Sequence, residues 1–144
     1  TFKLAKRRSK PITAMMLDID HFKRVNDTYG HQAGDKVIQA LASVIKRCVR
    51  ETDLAGRYGG EEFAIILTDT QEEGAEKVAE RIRKQAEDTL VEHEGQQISF
   101  TVSLGLAEYS GECTSSMAWL ELADQALYDA KQNGRNQYRI RRQH

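Results

Sequence analysis

Four acids in two places define the chemistry open to this chain. Asp18 and Asp20 close an apolar run, ITAMMLDID, and Glu61 and Glu62 follow a pair of glycines in RYGGEEFAII. Side chains alternate along a strand, so Asp18 and Asp20 share one face while Ile19 points to the other. Adjacent carboxylates repel, and a hairpin tip gains nothing from carrying two of them. Brought together, such acids either raise their pKa values or bind a cation. Ligands that are all oxygen select a hard ion, Mg²⁺ or Mn²⁺, and Mg²⁺ usually keeps room for phosphate oxygens. Acids on adjacent strands that hold two metals roughly 3.5–4 Å apart are a design used for in-line phosphoryl transfer. Solvated strand ends and hairpin tips carry acids as well, so spacing alone leaves both readings open.

Groups suited to a nucleotide surround these acids. DHFKRVNDTYGHQAGD, residues 20 to 35, reads as a polar loop with two glycines. Gly30 and Gly34 would let backbone amides approach a ligand, with the Gly34 end of the next helix offering free N–H groups to an anion. Asn26 and Asp35 suit a base edge: a carboxylate accepts from the exocyclic amine and ring N–H that guanine presents, though both are also ordinary turn and cap residues. His31 reads as a packing or turn residue rather than a metal ligand, since no other histidine has a suitable spacing. In ADQALYDAKQNGRNQ, Lys131 and Arg135 flank a helix end. They either complement the helix dipole or clamp a triphosphate, one as a point charge and the other as a fork. Arg50 and Asp53, in RETD, read by themselves as a last-turn arginine and a loop acid.

To be useful, acids about forty residues apart must meet at one sheet edge. Residues 12 to 20 suit a central strand covered on both faces. From Gly34 to Arg50, Val37, Leu41, Val44, Ile45 and Cys48 recur at helical spacing. Residues 54 to 58 form a short strand, Gly59-Gly60 supply positive φ for a two-residue hairpin turn, and residues 63 to 67 return as a buried strand. Thr70 and Glu73 read as a capping box ahead of a helix that buries Ala75, Val78, Ala79, Ile82 and Ala86. Residues 98 to 109 read as a long strand interrupted at Gly105. Leu120, Ala123, Ala126, Leu127 and Ala130 mark a last helix stopped by Asn133-Gly134, with a short strand at residues 137 to 140.

The order β-α-β-β-α-β-α-β predicts an α+β fold, a ferredoxin-like or palm-type, mostly antiparallel central sheet of about five strands flanked by helices. A helical crossover makes the first two strands parallel, and the third slots between them, antiparallel to both. The end of the first strand then lies beside the hairpin tip.

At 144 residues the chain is long enough for one domain with its own core. Lys plus Arg (21) nearly balance Asp plus Glu (22), and a net charge of −1 argues against a nucleic-acid partner or direct membrane contact. Apolar runs fall far short of a bilayer span, and no signal-peptide pattern opens the chain. Cys48 and Cys113 lack metal-ligand spacing and suit a reducing, cytoplasmic setting, with Cys48 on a helix's apolar face. The basic opening TFKLAKRRSKP runs straight into a core strand, so residues 1 to 144 read as one module excised from a longer protein whose upstream sensor domain is missing. Membrane anchoring of the full-length protein stays open.

Taken together, GGEEF (Gly59 to Phe63), MLDIDHFKRVNDTYGHQAGD before it and ADQALYDAKQNGRNQ after it resemble the GGDEF domain of diguanylate cyclases. Three linked motifs in order make the resemblance specific, and it covers nearly the whole chain. The family's usual Asp-x-Leu-Thr-x-Leu-x-Asn stretch is absent at the start. The resemblance implies that two GTP condense to cyclic di-GMP and two pyrophosphates, in a homodimer whose facing domains each hold one GTP. It makes Asp18 and Glu61 the ligands of Mg²⁺ or Mn²⁺, with the Ile19 carbonyl completing the shell. Glu62 matches a second catalytic acid, whose role as ligand, base or ribose contact is open. Asn26 and Asp35 match the guanine-reading pair. Phe22, Lys23, His31, Lys131 and Arg135 fall among the substrate-binding positions, the first two chiefly through their backbone. Arg50, Asp53 and Arg81 match an inhibitory site that binds cyclic di-GMP. The resemblance also admits a silent cyclic di-GMP receptor as an alternative.

Overall fold

The structure, a computed structural model, describes residues 10–109 and 115–142. In chain order the elements are β1 (Ile12–Ile19), α1 (Phe22–Tyr29), α2 (His31–Cys48), β2 (Leu54–Gly59), β3 (Glu62–Thr68) and α3 (Glu72–Glu87). They continue with β4 (Leu90–His93), β5 (Gln96–Ser99), β6 (Val102–Glu108), α4 (Ser116–Gln132) and β7 (Tyr138–Ile140). A five-stranded sheet runs β2-β3-β1-β6-β7, and β4 and β5 form a separate hairpin. Within the larger sheet only β6 with β7 is parallel. Both β1 and β2 are antiparallel to β3, so they run the same way, as a helical crossover requires. The expected mostly antiparallel sheet flanked by helices is therefore present.

The apolar run of β1 places it at the centre, with all eight residues buried. Its alternation divides the core in two. Met15, Leu17 and Ile19 pack with Ile65, Leu67, Leu104 and Leu106 under α2 and α3. Ile12, Ala14 and Met16 join Ala107 and Trp119 beneath α4. Each fully buried aliphatic side chain here contributes about 1.5–3 kcal/mol. Cys48 is buried on α2, as its spacing indicates, and is a free thiol. Cys113, His144 and residues 1 to 9 lie outside the described residues. Among the described residues, no helix is long and apolar enough to cross a membrane.

Five local expectations need correction. Residues 20 to 35 are not a loop: α1 and α2 meet at Gly30 (φ 97°), and the Gly34 N–H, bonded to the Gly30 carbonyl at 3.1 Å, lies inside α2. The apolar stripe of α1 is short, Phe22, Val25 and Tyr29 at i, i+3 and i+7, and it packs on the core although only Val25 is buried. The many polar residues between them mask it in the sequence. At the hairpin, Gly59 pairs with Glu62, which makes the turn Gly60-Glu61, and of the two glycines only Gly60 has positive φ (49°). No capping box forms. The Thr70 hydroxyl donates to the Thr68 carbonyl at 2.7 Å, and the Glu72 N–H at the start of α3 donates to the Glu108 carboxylate at 2.6 Å. Residues 98 to 109 break at Phe100-Thr101, not at Gly105, because β5 turns away to pair with β4. The sequence pattern does not announce that hairpin: its turn is Glu94-Gly95, both at positive φ, and glutamate is not one of the residues, Asn, Asp or Gly, that mark the first position of such a turn. The C-terminal stop is as expected: Gly134 has φ 115°, and the Arg135 N–H reaches back to the Ala130 carbonyl at 2.9 Å.

Candidate active site

Strand register brings the distant acids together. Asp18 lies directly across from Glu62 on β3 and from Ser103 on β6, and Glu61 sits in the adjoining turn. Cross-strand partners share a face, here the one that α4 covers. Asp18 is 7% exposed. Its Oδ2 accepts from Lys131 Nζ of α4, while its Oδ1 is buried without a hydrogen-bond partner. Burial pushes the Asp18 carboxyl above its ordinary range against the pull of Lys131, and the Glu61 and Asp20 charges add to the rise. Burial also raises Glu62, helped by the charges of Asp18 and Asp124. Negative charge is thus concentrated and under-compensated, which favours a bound cation.

A hard divalent ion fits these groups. The orphaned Asp18 Oδ1 lacks the positive partner such an ion would supply, and the carboxylates of Asp18 and Glu61 with the Ile19 carbonyl form an all-oxygen set. Among the described residues, no three His, Cys, Asp or Glu side chains converge as a metal site. Two carboxylates and a carbonyl make an incomplete shell, of the kind Mg²⁺ completes with phosphate oxygens. Asp20 shares the face of Asp18, as strand alternation requires, but its oxygens are occupied. They accept from Thr101 Oγ1 and Ser103 Oγ, each at 2.7 Å, and from the Asn136 N–H at 3.0 Å. Arg57, given no role from the sequence, ties down the hairpin: its Nε donates to the Gly60 carbonyl at 2.6 Å.

The residues expected on the nucleotide side divide between α1, α2 and the end of α4. The N–H groups of Arg24 and Val25 donate to the His21 carbonyl, so the preceding Phe22 and Lys23 amides stand in the unsatisfied first turn of α1. Those amides, not Gly34, offer N–H groups to an anion. Asn26 rests its side chain on Gly34: a Cβ there would lie 1.9 Å from Asn26 Oδ1 and 3.1 Å from Phe22 Cζ. Asn26 Oδ1 is buried without a partner, an arrangement that costs about 1–3 kcal/mol until a donor arrives. Asp35, beside Gly34, and His31, at the start of α2, are exposed. Arg135 is exposed at positive φ (63°) just past α4.

A testable consequence follows for Gly34. The atom a Cβ would strike is the mobile end of Asn26, and alanine favours a helix by about 1 kcal/mol over glycine. Gly34→Ala is therefore expected to leave the melting temperature unchanged or higher while displacing Asn26. On the expectation that Asn26 reads guanine, guanine-nucleotide affinity by titration calorimetry should fall roughly tenfold, equivalent to 1.4 kcal/mol. Unaltered affinity would remove Asn26 from the binding surface.

Arg50, Asp53 and Arg81 are gathered elsewhere. They line a cavity of about 560 Å³ together with Pro11, Cys48 and Lys77. Asp53, its side chain 2% exposed, accepts from the Thr68 and Arg50 backbone N–H groups at 3.1 and 2.8 Å. The Arg50 guanidinium bonds Asp53, the Thr68 carbonyl and Thr70 Oγ1, yet keeps 56% of its side chain exposed. Pro11 precedes β1 and Asp18 nearly ends it, so this cavity and the acids sit at opposite ends of the strand, roughly 20 Å apart by strand rise.

Residues 1–137 match the family described as "Diguanylate cyclase, GGDEF domain". Diguanylate cyclase A of Treponema denticola is 45% identical over 136 residues, covering 94% of this chain and 37% of that protein. The chain spans about a third of the length of the curated relatives it matches. Among solved structures, the GGDEF domain of DgcB from Caulobacter crescentus in complex with c-di-GMP superposes with a TM-score of 0.90 at 38% identity, covering 97% of this chain and 82% of that one. The active GGEEF domain of a diguanylate cyclase from Vibrio cholerae gives 0.92 at 35% identity, covering 99% and 90%.

Proposed function

The chain belongs to the diguanylate cyclase GGDEF domain family, and from that premise we propose that it condenses two GTP into cyclic di-GMP, releasing two pyrophosphates. The observation that carries this reading is the register setting Asp18 of β1 against Glu62 of β3, with Glu61 in the turn beside them. Asp18, Glu61 and the Ile19 carbonyl would hold Mg²⁺ or Mn²⁺, which would supply polarisation of the α-phosphate and a lowered pKa for the attacking hydroxyl. The 3′-oxygen of one GTP forms the new bond to the α-phosphorus of the other as the bond to pyrophosphate breaks.

The chain's own groups orient that exchange. Asn26 and Asp35 take the guanine edge, with His31 beside them, and the Phe22 and Lys23 amides take phosphate oxygens. Lys131 leaves Asp18 for the triphosphate, which Arg135 grips as a fork. Glu62, raised by burial next to Asp18, serves as a ligand, a base for the 3′-proton or a ribose contact. Each domain holds one nucleotide, so two copies must face each other. Cyclic di-GMP binds at Arg50, with Asp53 holding that arginine in place and Arg81 lining the same cavity. GTP and its signalling product place the domain in the cytoplasm, coupled to further domains of a longer protein.

The test is incubation with GTP and Mg²⁺ across a range of protein concentrations, with nucleotides separated by chromatography. Cyclic di-GMP should appear, with specific activity rising as protein concentration rises. Added cyclic di-GMP should slow the wild type, and Arg50→Ala should blunt that inhibition without ending synthesis. No pyrophosphate at high protein concentration, alongside tight cyclic di-GMP binding, would replace the enzyme with a receptor.

A further inference from the structure

Beyond α4 the backbone enters an unusual conformation. Gly134, Arg135 and Asn136 have φ of 115°, 63° and 49° in succession. Left-handed geometry is open to glycine and tolerated by asparagine, but for Arg135 it persists only where the surroundings impose it. Such strain collects at ligand clamps, and the residue it presents here is Arg135, exposed at the end of the helix that carries Lys131.

Two sets of bonds impose it. From below, the buried Asp20 carboxylate accepts the Asn136 N–H at 3.0 Å, and it is itself fixed by Thr101 and Ser103 hydroxyls at 2.7 Å. From the side, the Asn136 amide donates to Glu87 Oε2 at 2.7 Å and accepts from Arg83 Nη1 at 3.0 Å, while Arg83 is held by Glu80 at 2.6 Å. The Arg135 N–H closes on Ala130, and the Gln137 carbonyl accepts the Leu104 N–H at 3.0 Å. Both peptides that flank Arg135 are tied, and the deepest tie runs to the acid two residues beyond Asp18.

We infer that Asp20 and Asn136 form a clasp that holds Arg135 in a preset position for the phosphate groups of the nucleotide, so that one strand end sets both the acids and the opposing cation. Asp20 is thus a positioning residue acting through Arg135, not a ligand. This rests on the nucleotide reading given above and assigns roles to residues that reading leaves unused. A fixed backbone at Arg135 limits where its side chain can reach and so reduces the freedom lost on binding. Loosening the clasp therefore weakens affinity without removing any group that touches the ligand.

The test is a double-mutant cycle on GTP affinity, measured by calorimetry with Mg²⁺. Asp20→Asn keeps the shape of the side chain but cannot accept three donors through its oxygens. Alone it should weaken GTP binding roughly tenfold, within the range seen for residues that share one network. Placed on Arg135→Gln it should weaken binding less than twofold further. Equal losses in both backgrounds would overturn the clasp, since Asp20 would then act through the fold at large. Should Asp20→Asn fail to melt cooperatively, Asn136→Gly takes its place, accepting the positive φ while deleting the Glu87 and Arg83 bonds. The same non-additivity is expected. Wild-type domain that binds no GTP would sink both the nucleotide reading and the clasp. A domain that binds GTP with the expected cycle yet makes no cyclic di-GMP would sink the cyclase reading alone.

Discussion

Replacing Asp18 with asparagine should cut cyclic di-GMP formation by about 10²–10³-fold, the usual loss when one electrostatic anchor of a transition state is removed, while the domain stays folded. The activity loss comes from charge: asparagine keeps the size and one oxygen but cannot neutralise a divalent ion. The stability effect has the opposite sign. Burial raises the Asp18 carboxyl in the folded state, so its ionised form weighs against folding. A raised carboxyl gives stability that is present below its unfolded pKa, near 3.9, and lost as pH climbs through the higher folded value. Asparagine mimics the protonated form at every pH. The nucleotide-free variant should therefore melt at or above the parent temperature at pH 7.5, and the gap should close as the pH approaches 4. Differential scanning calorimetry at the two pH values reads this directly. A variant that keeps wild-type turnover would dismiss Asp18 as a ligand. One that melts far below the parent at neutral pH would mean that the Lys131 bond outweighs the burial of the charge.

Gly105→Ala is the change expected to damage the fold most. A methyl at that position would lie 2.1 Å from Leu127 N, 2.2 Å from Ala123 O and 2.7 Å from Ala126 C. All three are backbone atoms of α4, so no rotamer change relieves the clash. Either the helix lifts off the sheet or β6 buckles beside β1, where Gly105 sits opposite Met16. Overpacking of this kind costs about 3 kcal/mol or more, which in a domain of this size lowers the melting temperature by roughly 10 °C. Because α4 also carries Lys131 and leads into Arg135, residual folded protein should bind GTP more weakly. An alanine variant with parental stability would mean that the helix has slack not evident from its buried Ala123, Ala126 and Ala130.

The sequence was most legible where a single element writes its own pattern. The run at residues 12 to 20 is nearly continuous in apolar residues up to its closing acids, and Ile12–Ile19 became the central strand. Val37, Leu41, Val44, Ile45 and Cys48 form a stripe, and all are buried on α2. Gly59-Gly60 announced a hairpin, though register moved its turn on by one residue. Legibility failed where a residue answers to a distant partner. Thr70 and Glu73 satisfied the local rule for a cap, yet the Glu108 carboxylate, 36 residues on, took the first amide of α3. Gly105 looked like a strand breaker because its real neighbour, the α4 backbone, cannot be seen from β6.

For the candidate site, chain order alone determined that the end of β1 would lie beside the hairpin that carries Glu61 and Glu62, since a helical crossover followed by a hairpin leaves few ways to arrange three strands. Which of the two acids faces Asp18 was decided by the register, which pairs it with Glu62. Charge compensation was settled only in three dimensions. That Asp18 would pair with Lys131, 113 residues away, while Asp20 faced inward to Thr101, Ser103 and Asn136, depends on where α4 docks. Periodicity reports which side of an element is buried, and it is blind to which polar groups of other elements meet it there.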